Sequence, residues 1–200
     1  MGEDALDLLR ELKENLLNAT ILRFPAPEGG YYNYIVNFLT EGLPEIPPTV
    51  LWGCAIELAR IADLDGVNKL VTPEAMGIHV TTVLSILTGI PMNVIRRRKY
   101  GLPGEIEIVK RTGYAESKMY ANGLKAGDRV VLVDSIISTG GTYTAIIQAL
   151  EKRGVIVQDA VAVIEKPDYN GVSYVEKETQ HRVKTLVKVV IKNGRPVLID

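Results

Sequence analysis

The chain holds a single cysteine, Cys54, among its 200 residues. That excludes an intramolecular disulfide and every zinc pattern built on several cysteines. No clustering of His, Cys, Asp or Glu marks a metal cage made of side chains, and the two histidines, His79 and His181, stand apart without recognisable partners. An excess of basic charge is also missing. Lys and Arg number 23 against 24 Asp and Glu, a formal net charge of -1, whereas nucleic-acid binders usually carry a basic face. No apolar run approaches the roughly 18 residues of a membrane span, and no basic start leads into an apolar stretch. Internal repeats and low-complexity segments are absent. A cytoplasmic protein with no membrane and no nucleic-acid partner is expected.

What is present suits an ordinary core: 46% hydrophobic and 24% charged residues, in a length that fits one large domain or one domain with a small attachment. Leu6, Leu9, Leu12, Leu16 and Leu17 fall at helical spacing within residues 4–19. A Pro/Gly passage and the aromatic group Tyr31, Tyr32 and Tyr34 follow, and a helix is expected over 49–62 after Pro47-Pro48. From there strands and helices alternate: strand 68–71, helix 76–87, strand 92–95, a hairpin or flap near 105–122, strand 128–134, helix 141–153, strand 155–164 and a last strand 186–191. Such alternation predicts an α/β fold, a doubly wound parallel sheet with helices on both faces. Residues 1–47 are expected to form an N-terminal helix and hood, and 48–200 the core with its flap. In such sheets ligands bind beyond the carboxyl ends of the strands.

The most informative stretch runs from Val130 to Thr142. Val130-Val131-Leu132-Val133 is a buried strand, Asp134 an acid at its end, and Ser138-Thr139-Gly140-Gly141-Thr142 a small hydroxyl and glycine turn opening a helix. Glycines let backbone N–H groups close on an anion, and a helix start favours negative charge. No Lys follows the glycines and no G-x-G-x-x-G occurs, so this is neither a P-loop nor a dinucleotide fingerprint. The turn suits one phosphate monoester, with Asp134 placed to accept hydrogen bonds from ribose hydroxyls. A second feature is the basic run Arg96-Arg97-Arg98-Lys99, set at a strand end rather than on a plain solvated face.

These residues resemble the phosphoribosyl-pyrophosphate signature of type I phosphoribosyltransferases, and the likeness extends over most of residues 20–195. Met76-Gly77 resembles that family's pyrophosphate loop, and Arg96 to Gly104, ending Leu102-Pro103-Gly104, its basic loop. Phe24-Pro25 with Tyr32-Asn33-Tyr34 resembles the hood of adenine enzymes, while residues 74–164 are similar to archaeal hypoxanthine/guanine enzymes.

The resemblance implies purine salvage by transfer of the phosphoribosyl group to a purine, with Mg²⁺ held by substrate oxygens and a homodimer as the assembly. It assigns the 5-phosphate to Ser138, Thr139, Gly140, Gly141 and Thr142. Pyrophosphate falls to Met76, Gly77, Arg96, Arg97 and Lys99, and ribose to Asp134 and Ser135. The purine falls to Tyr32, Tyr34, Ile136, Glu165 and Lys166. Ser135 stands where the family carries a second acid, and Arg111 stands about where adenine enzymes carry a Glu. Catalysis is therefore expected from Asp134, with Glu116 near enough in sequence to be considered for proton transfer.

The base is read from opposed features. Lys166 sits where 6-oxopurine enzymes place a lysine, but Glu165, the Gly140-Gly141 pair and the Phe24-Pro25 hood resemble adenine enzymes. Adenine, giving AMP and pyrophosphate, is favoured, with Lys166 taken to point to solvent as most lysines do. Hypoxanthine and guanine are the alternative. A non-catalytic sensor of phosphoribosyl pyrophosphate is a further reading. It would use Ser135 as a decayed acid, but the single helix in the first 20 residues is too little for a helix-turn-helix.

Overall fold

The computed structural model describes residues 7–26, 29–112 and 115–200, the side chains of 111–116 excepted. Helix α1 (Arg10–Leu17) leads into an antiparallel hairpin of β1 (Thr20–Pro25) and β2 (Tyr31–Val36), a single turn α2 (Phe38–Glu41) and helix α3 (Pro48–Ile61). Strand β3 (Lys69–Pro73), helix α4 (Ile78–Thr88) and strand β4 (Met92–Ile95) follow. A second hairpin joins β5 (Ile106–Thr112) to β6 (Ala115–Ala121). Then come β7 (Arg129–Ile137), α5 (Gly141–Glu151), β8 (Ile156–Glu165), α6 (Gly171–Thr179), β9 (Lys184–Lys192) and β10 (Arg195–Ile199). Among the described residues no helix is long and apolar enough to cross a membrane.

Six strands form the central sheet in the order β10-β9-β8-β7-β3-β4. All neighbours are parallel except β10, which runs back along β9. The sheet is apolar on both sides because its central strands carry unbroken apolar runs. Along β7, Val130 and Leu132 join the core beneath α5 and α6, whereas Val131 and Val133 join the core beneath α1, α3 and α4. Period-two alternation thus divides one run between two cores, as a strand covered by helices on both faces requires. Val161 and Val163 face the second core and Ala160 and Ala162 the first.

Three expectations need correcting. The strand over 186–191 is not the last. Asn193 and Gly194, both at positive φ (51° and 74°), turn the chain into β10, the hairpin geometry that an Asn-Gly pair favours. Helix α6 was not foreseen, because its buried residues are only Gly171, Val172 and Val175 in an otherwise polar segment. And β7 does not stop at Asp134: Asp134, Ile136 and Ile137 continue to pair with Ala162, Ile164 and Glu165 of β8. Asp134 is therefore fixed inside a strand, not carried on a loop.

The 138–142 turn rests against the start of α6. Gly140 has φ 78°, and a Cβ there would stand 2.5 Å from the Gly171 carbonyl oxygen. A Cβ on Gly171 would come within 2.0 Å of the Ser138 carbonyl oxygen. Gly141 differs, since its Cβ would meet only Lys110 Cε at 3.3 Å. Gly171→Ala is therefore expected to push the turn aside and cost about 1–3 kcal/mol, on the order of 2–10 °C in thermal midpoint. Gly141→Ala should leave the midpoint unchanged or raise it, because alanine favours the helix that begins there. Thermal unfolding followed by circular dichroism compares the two.

Candidate active site

Two hollows open at the carboxyl ends of the parallel strands, with Asp134 between them. The larger, about 550 Å³, is lined by the 73–76 loop, Arg97, residues 117–119 of β6, Lys110, Asp134 and Thr142. The smaller, about 70 Å³, is enclosed by Ser138, Thr139, Gly140 and Thr142 together with Ile136, Lys110, Asp134 and Tyr143. A helix N-terminus lies beside each. Neither α4, which starts after Gly77, nor α5, which starts after Gly140, has a side-chain cap. At α4 the Ile78 N–H already donates to the Ala75 carbonyl at 3.2 Å, and the helix dipoles favour an anion beside both starts. Helix α5 is anchored by Tyr143, whose hydroxyl donates to the Val161 carbonyl at 2.7 Å.

Asp134 is partly buried, and its Oδ1 accepts the Ser135 N–H at 2.8 Å. Burial pushes its carboxyl up to about 7, against the pull of that hydrogen bond. Gly77 is packed directly against it: a Cβ there would lie 2.1 Å from Thr72 Oγ1 and 2.9 Å from Asp134 Oδ1. Ser135 does not reach the hollows. It is fully buried, and its hydroxyl donates to the Met76 carbonyl at 2.6 Å, so it holds the 74–77 loop from behind rather than facing a ribose.

The basic loop divides. Glu74 binds it with both carboxylate oxygens, accepting from the Arg97 N–H at 2.6 Å and from Arg96 Nη1 at 3.0 Å. These contacts, the backbone one first, hold the Glu74 carboxyl below its usual range. Arg97 is left lining the larger hollow, whereas Arg96 is engaged with Glu74 and Lys99 is exposed and outside both linings. Glu74 sits in the loop whose Met76-Gly77 was singled out, so the sequence offered the loop but not the role of its acid. Lys110 was missed altogether. It lines both hollows and donates to Thr142 Oγ1 at 3.1 Å, yet a lone lysine in a hairpin gives no motif. The side chain of Glu116 lies outside the described residues.

On the far side of the 138–142 turn, the β1–β2 hairpin closes over the end of β8. Lys166 is 2% exposed, and its Nζ donates to the Asn33 carbonyl at 2.6 Å. That ammonium also lies 4.0 Å from the centre of the Tyr32 ring and 4.6 Å from that of Tyr169. Tyr32 and Tyr169 are themselves paired at 4.8 Å, and the Asn33 N–H donates to the Tyr169 hydroxyl at 2.8 Å. Burial brings Lys166 down to about 8, with Asp168 opposing. The other expected purine contacts disperse. Tyr34 packs edge-on against Phe24 and donates to Glu41, Glu165 accepts from Thr185 at 2.8 Å, and Ile136 lines the small hollow. Tyr169 joins the cluster unforeseen, three residues beyond Lys166.

A parallel sheet with an acid fixed in its central strand, two helix starts without side-chain caps and an adjoining cationic loop come together at the carboxyl ends of the strands. Comparison with known proteins gives the family. Residues 58–192 match the phosphoribosyl transferase domain. The chain is 45% identical over 182 residues to a hypoxanthine/guanine phosphoribosyltransferase of Methanocaldococcus infernus, covering 91% of this chain and 98% of that one. It is 44% identical over 191 residues to an HGPRTase-like protein of Halorubrum lacusprofundi, covering 95% and 96%. Among solved structures it is similar to an adenine phosphoribosyltransferase of Thermoanaerobacter pseudethanolicus, with a TM-score of 0.70 and 22% identity over 90% of this chain and 99% of that one. The chain belongs to the phosphoribosyl transferase family, and it is a purine phosphoribosyltransferase of type I.

The position of Asp134 has a consequence for stability. Below its ordinary value of 3.8 the carboxyl is protonated in folded and unfolded chains alike. Between 3.8 and about 7 only the folded chain keeps the proton, and above about 7 neither does. Its contribution is therefore complete in acid and is lost as the pH rises to about 7. Asn titrates nowhere in this range. Ligand-free Asp134→Asn should melt with the wild type at pH 4 and roughly 5 °C or more above it at pH 8, while losing activity. Equal midpoints at pH 8 would contradict a buried, hard-to-ionise Asp134.

Proposed function

We propose that this purine phosphoribosyltransferase acts on the 6-oxopurines hypoxanthine and guanine, and that Lys166 selects them. One observation carries the reading: the Lys166 ammonium is buried beside two tyrosine rings, with a carbonyl oxygen as its hydrogen-bond partner. An ammonium has three donors and no acceptor. It matches the 6-oxo group of hypoxanthine or guanine and opposes the 6-amino group of adenine, donor against donor. The condition under which adenine was favoured, a solvent-facing Lys166, is not met. The names of the relatives at 45% and 44% identity lend support, whereas the adenine enzyme at 22% identity speaks for the fold alone. On this reading the incoming base takes over the place of the Asn33 carbonyl and lies against Tyr32 or Tyr169, whose flat faces suit a purine.

The remaining residues fit the transfer. The 138–142 turn and the start of α5 hold the 5-phosphate, so binding energy remote from the reaction positions the anomeric carbon. As the bond from that carbon to the pyrophosphate oxygen breaks and the bond to the purine nitrogen forms, negative charge grows on the leaving group. Arg97 and the start of α4 stabilise it. Asp134, once ionised, offsets positive charge on the sugar, while Ser135 and Glu74 keep the loop and Arg97 in position. Mg²⁺, a hard cation that commonly binds through substrate phosphates, would be held chiefly by substrate oxygens. When bound, that ion would neutralise the pyrophosphate. We further propose a homodimer working in the cytoplasm.

Steady-state kinetics with each base tests the choice. The ratio kcat/KM should favour hypoxanthine or guanine over adenine by about tenfold or more, the cost of one buried polar mismatch. Lys166→Met should reduce 6-oxopurine use by a similar factor and leave any adenine activity intact. Faster use of adenine by the wild type would overturn the reading.

A further inference from the structure

Several cations near the sheet are matched by acids: Arg96 by Glu74, Lys69 by Asp128 and Lys184 by Asp159. Lys110, beside the 138–142 turn, is not. It projects from β5, on the hairpin that covers the site, and reaches across to the start of α5, where its Nζ donates to Thr142 Oγ1. Among the described residues no carboxylate lies within ion-pair distance of it. Burial and the neighbouring Arg97 both lower its affinity for its proton. A half-buried ammonium beside a guanidinium, with a neutral hydroxyl as its hydrogen-bond partner, is an incomplete electrostatic arrangement, because a buried charge is costly unless paired.

The geometry indicates what would complete it. Lys110, Asp134 and Thr142 are the residues common to both hollows, so the Lys110 side chain stands at the mouth of the small one. The hydroxyl it engages belongs to the turn that is read above as the seat of the 5-phosphate. Gly141 leaves room for its stem, since a Cβ there would already press on Lys110 Cε at 3.3 Å.

We propose that Lys110 is a ligand of the substrate's 5-phosphate, carried to it by the β5–β6 hairpin. This rests on the reading of the 138–142 turn as the phosphate seat. In the free protein the Thr142 hydroxyl occupies the acceptor position. When the phosphate arrives, an oxyanion takes that position and Thr142 is released to donate to the same group. The N–H groups of α5 then hold the phosphate from below and Lys110 from above. The β5 strand is thereby joined to an occupied phosphate seat through Lys110. A free base, which brings no phosphate, offers Lys110 nothing.

Calorimetric titration of wild type, Lys110→Met and Lys110→Arg with ribose 5-phosphate, phosphoribosyl pyrophosphate and pyrophosphate, each with Mg²⁺, tests this. Lys110→Met should weaken ribose 5-phosphate and phosphoribosyl pyrophosphate by the same factor, about tenfold or more, as expected for one lost charge-assisted hydrogen bond. Pyrophosphate affinity should stay within about twofold of wild type, a shift under about 0.5 kcal/mol. Lys110→Arg, which keeps the charge, should recover most of the loss, and thermal melts check that both variants fold. Unchanged ribose 5-phosphate affinity in Lys110→Met, or a loss confined to pyrophosphate, overturns the proposal while leaving the phosphate seat in place. A wild type that binds neither ribose 5-phosphate nor phosphoribosyl pyrophosphate overturns the seat and the proposal together.

Discussion

Everything at the active end of this molecule depends on β7 being paired on both sides and covered on both faces. Such a strand has no freedom to move, and along Val130–Val133 it has no room for polarity. Polar chemistry becomes possible only where α4 and α5 begin, because there the covering helices present N–H groups instead of apolar side chains. Asp134 is the first residue past that boundary, and its burial there raises its carboxyl above the ordinary value. The loops around it are set from the strand outward. Ser135 fixes Met76, Gly77 is trimmed to admit the carboxyl of Asp134, and Glu74 in the same loop fixes the backbone of Arg97. A rigid central strand therefore positions groups that arrive on two separate connections.

The electrostatic character follows from that arrangement. Around the two hollows and the base cluster stand Arg97, Lys110 and Lys166, while Asp134 and Glu74 supply the carboxylates of the larger hollow. Glu74 is already committed to Arg96 and to the Arg97 backbone. The net charge of -1 over the whole chain conceals this local surplus of positive charge. On the proposed reading, a substrate bearing several phosphates restores the balance, and a nearly neutral protein holds a polyanion without presenting a basic surface.

Much of this was legible in the sequence. The run Val130–Val133 ending at an acid, followed by hydroxyls and glycines, shows both the strand and the turn, because local geometry dictates those residue types. The parallel sheet follows from the alternation of strands and helices. What escaped was set by contacts between distant segments. Ser135 read as a ribose contact because strand continuation past Asp134 depends on β8, which lies more than twenty residues on. Lys166 was a purine candidate whose orientation the sequence left open, because its burial is produced by Asn33 and Tyr32, 133 and 134 positions earlier in the chain. Lys110 had no signature, since an isolated lysine in an alternating hairpin is the commonest of surface residues. Arg96 and Arg97 looked equivalent until Glu74 distinguished them.

The segment from Lys166 to Gly171 joins two duties on one short length of chain. At its start, Lys166 and Tyr169 hold the hood over the base cluster; at its end, Gly171 lies against the Ser138 carbonyl beneath the phosphate turn. The Tyr169 hydroxyl and the Gly171 backbone are therefore spaced like two teeth of one key. On the proposed reading, reshaping the Lys166–Tyr169 cluster by inserting or deleting a residue here would also lift α6 away from the 138–142 turn and loosen the seat proposed for the sugar phosphate. Exchange of bases in this scaffold is open to side-chain replacement at fixed length, and closed to transplantation of a longer or shorter loop.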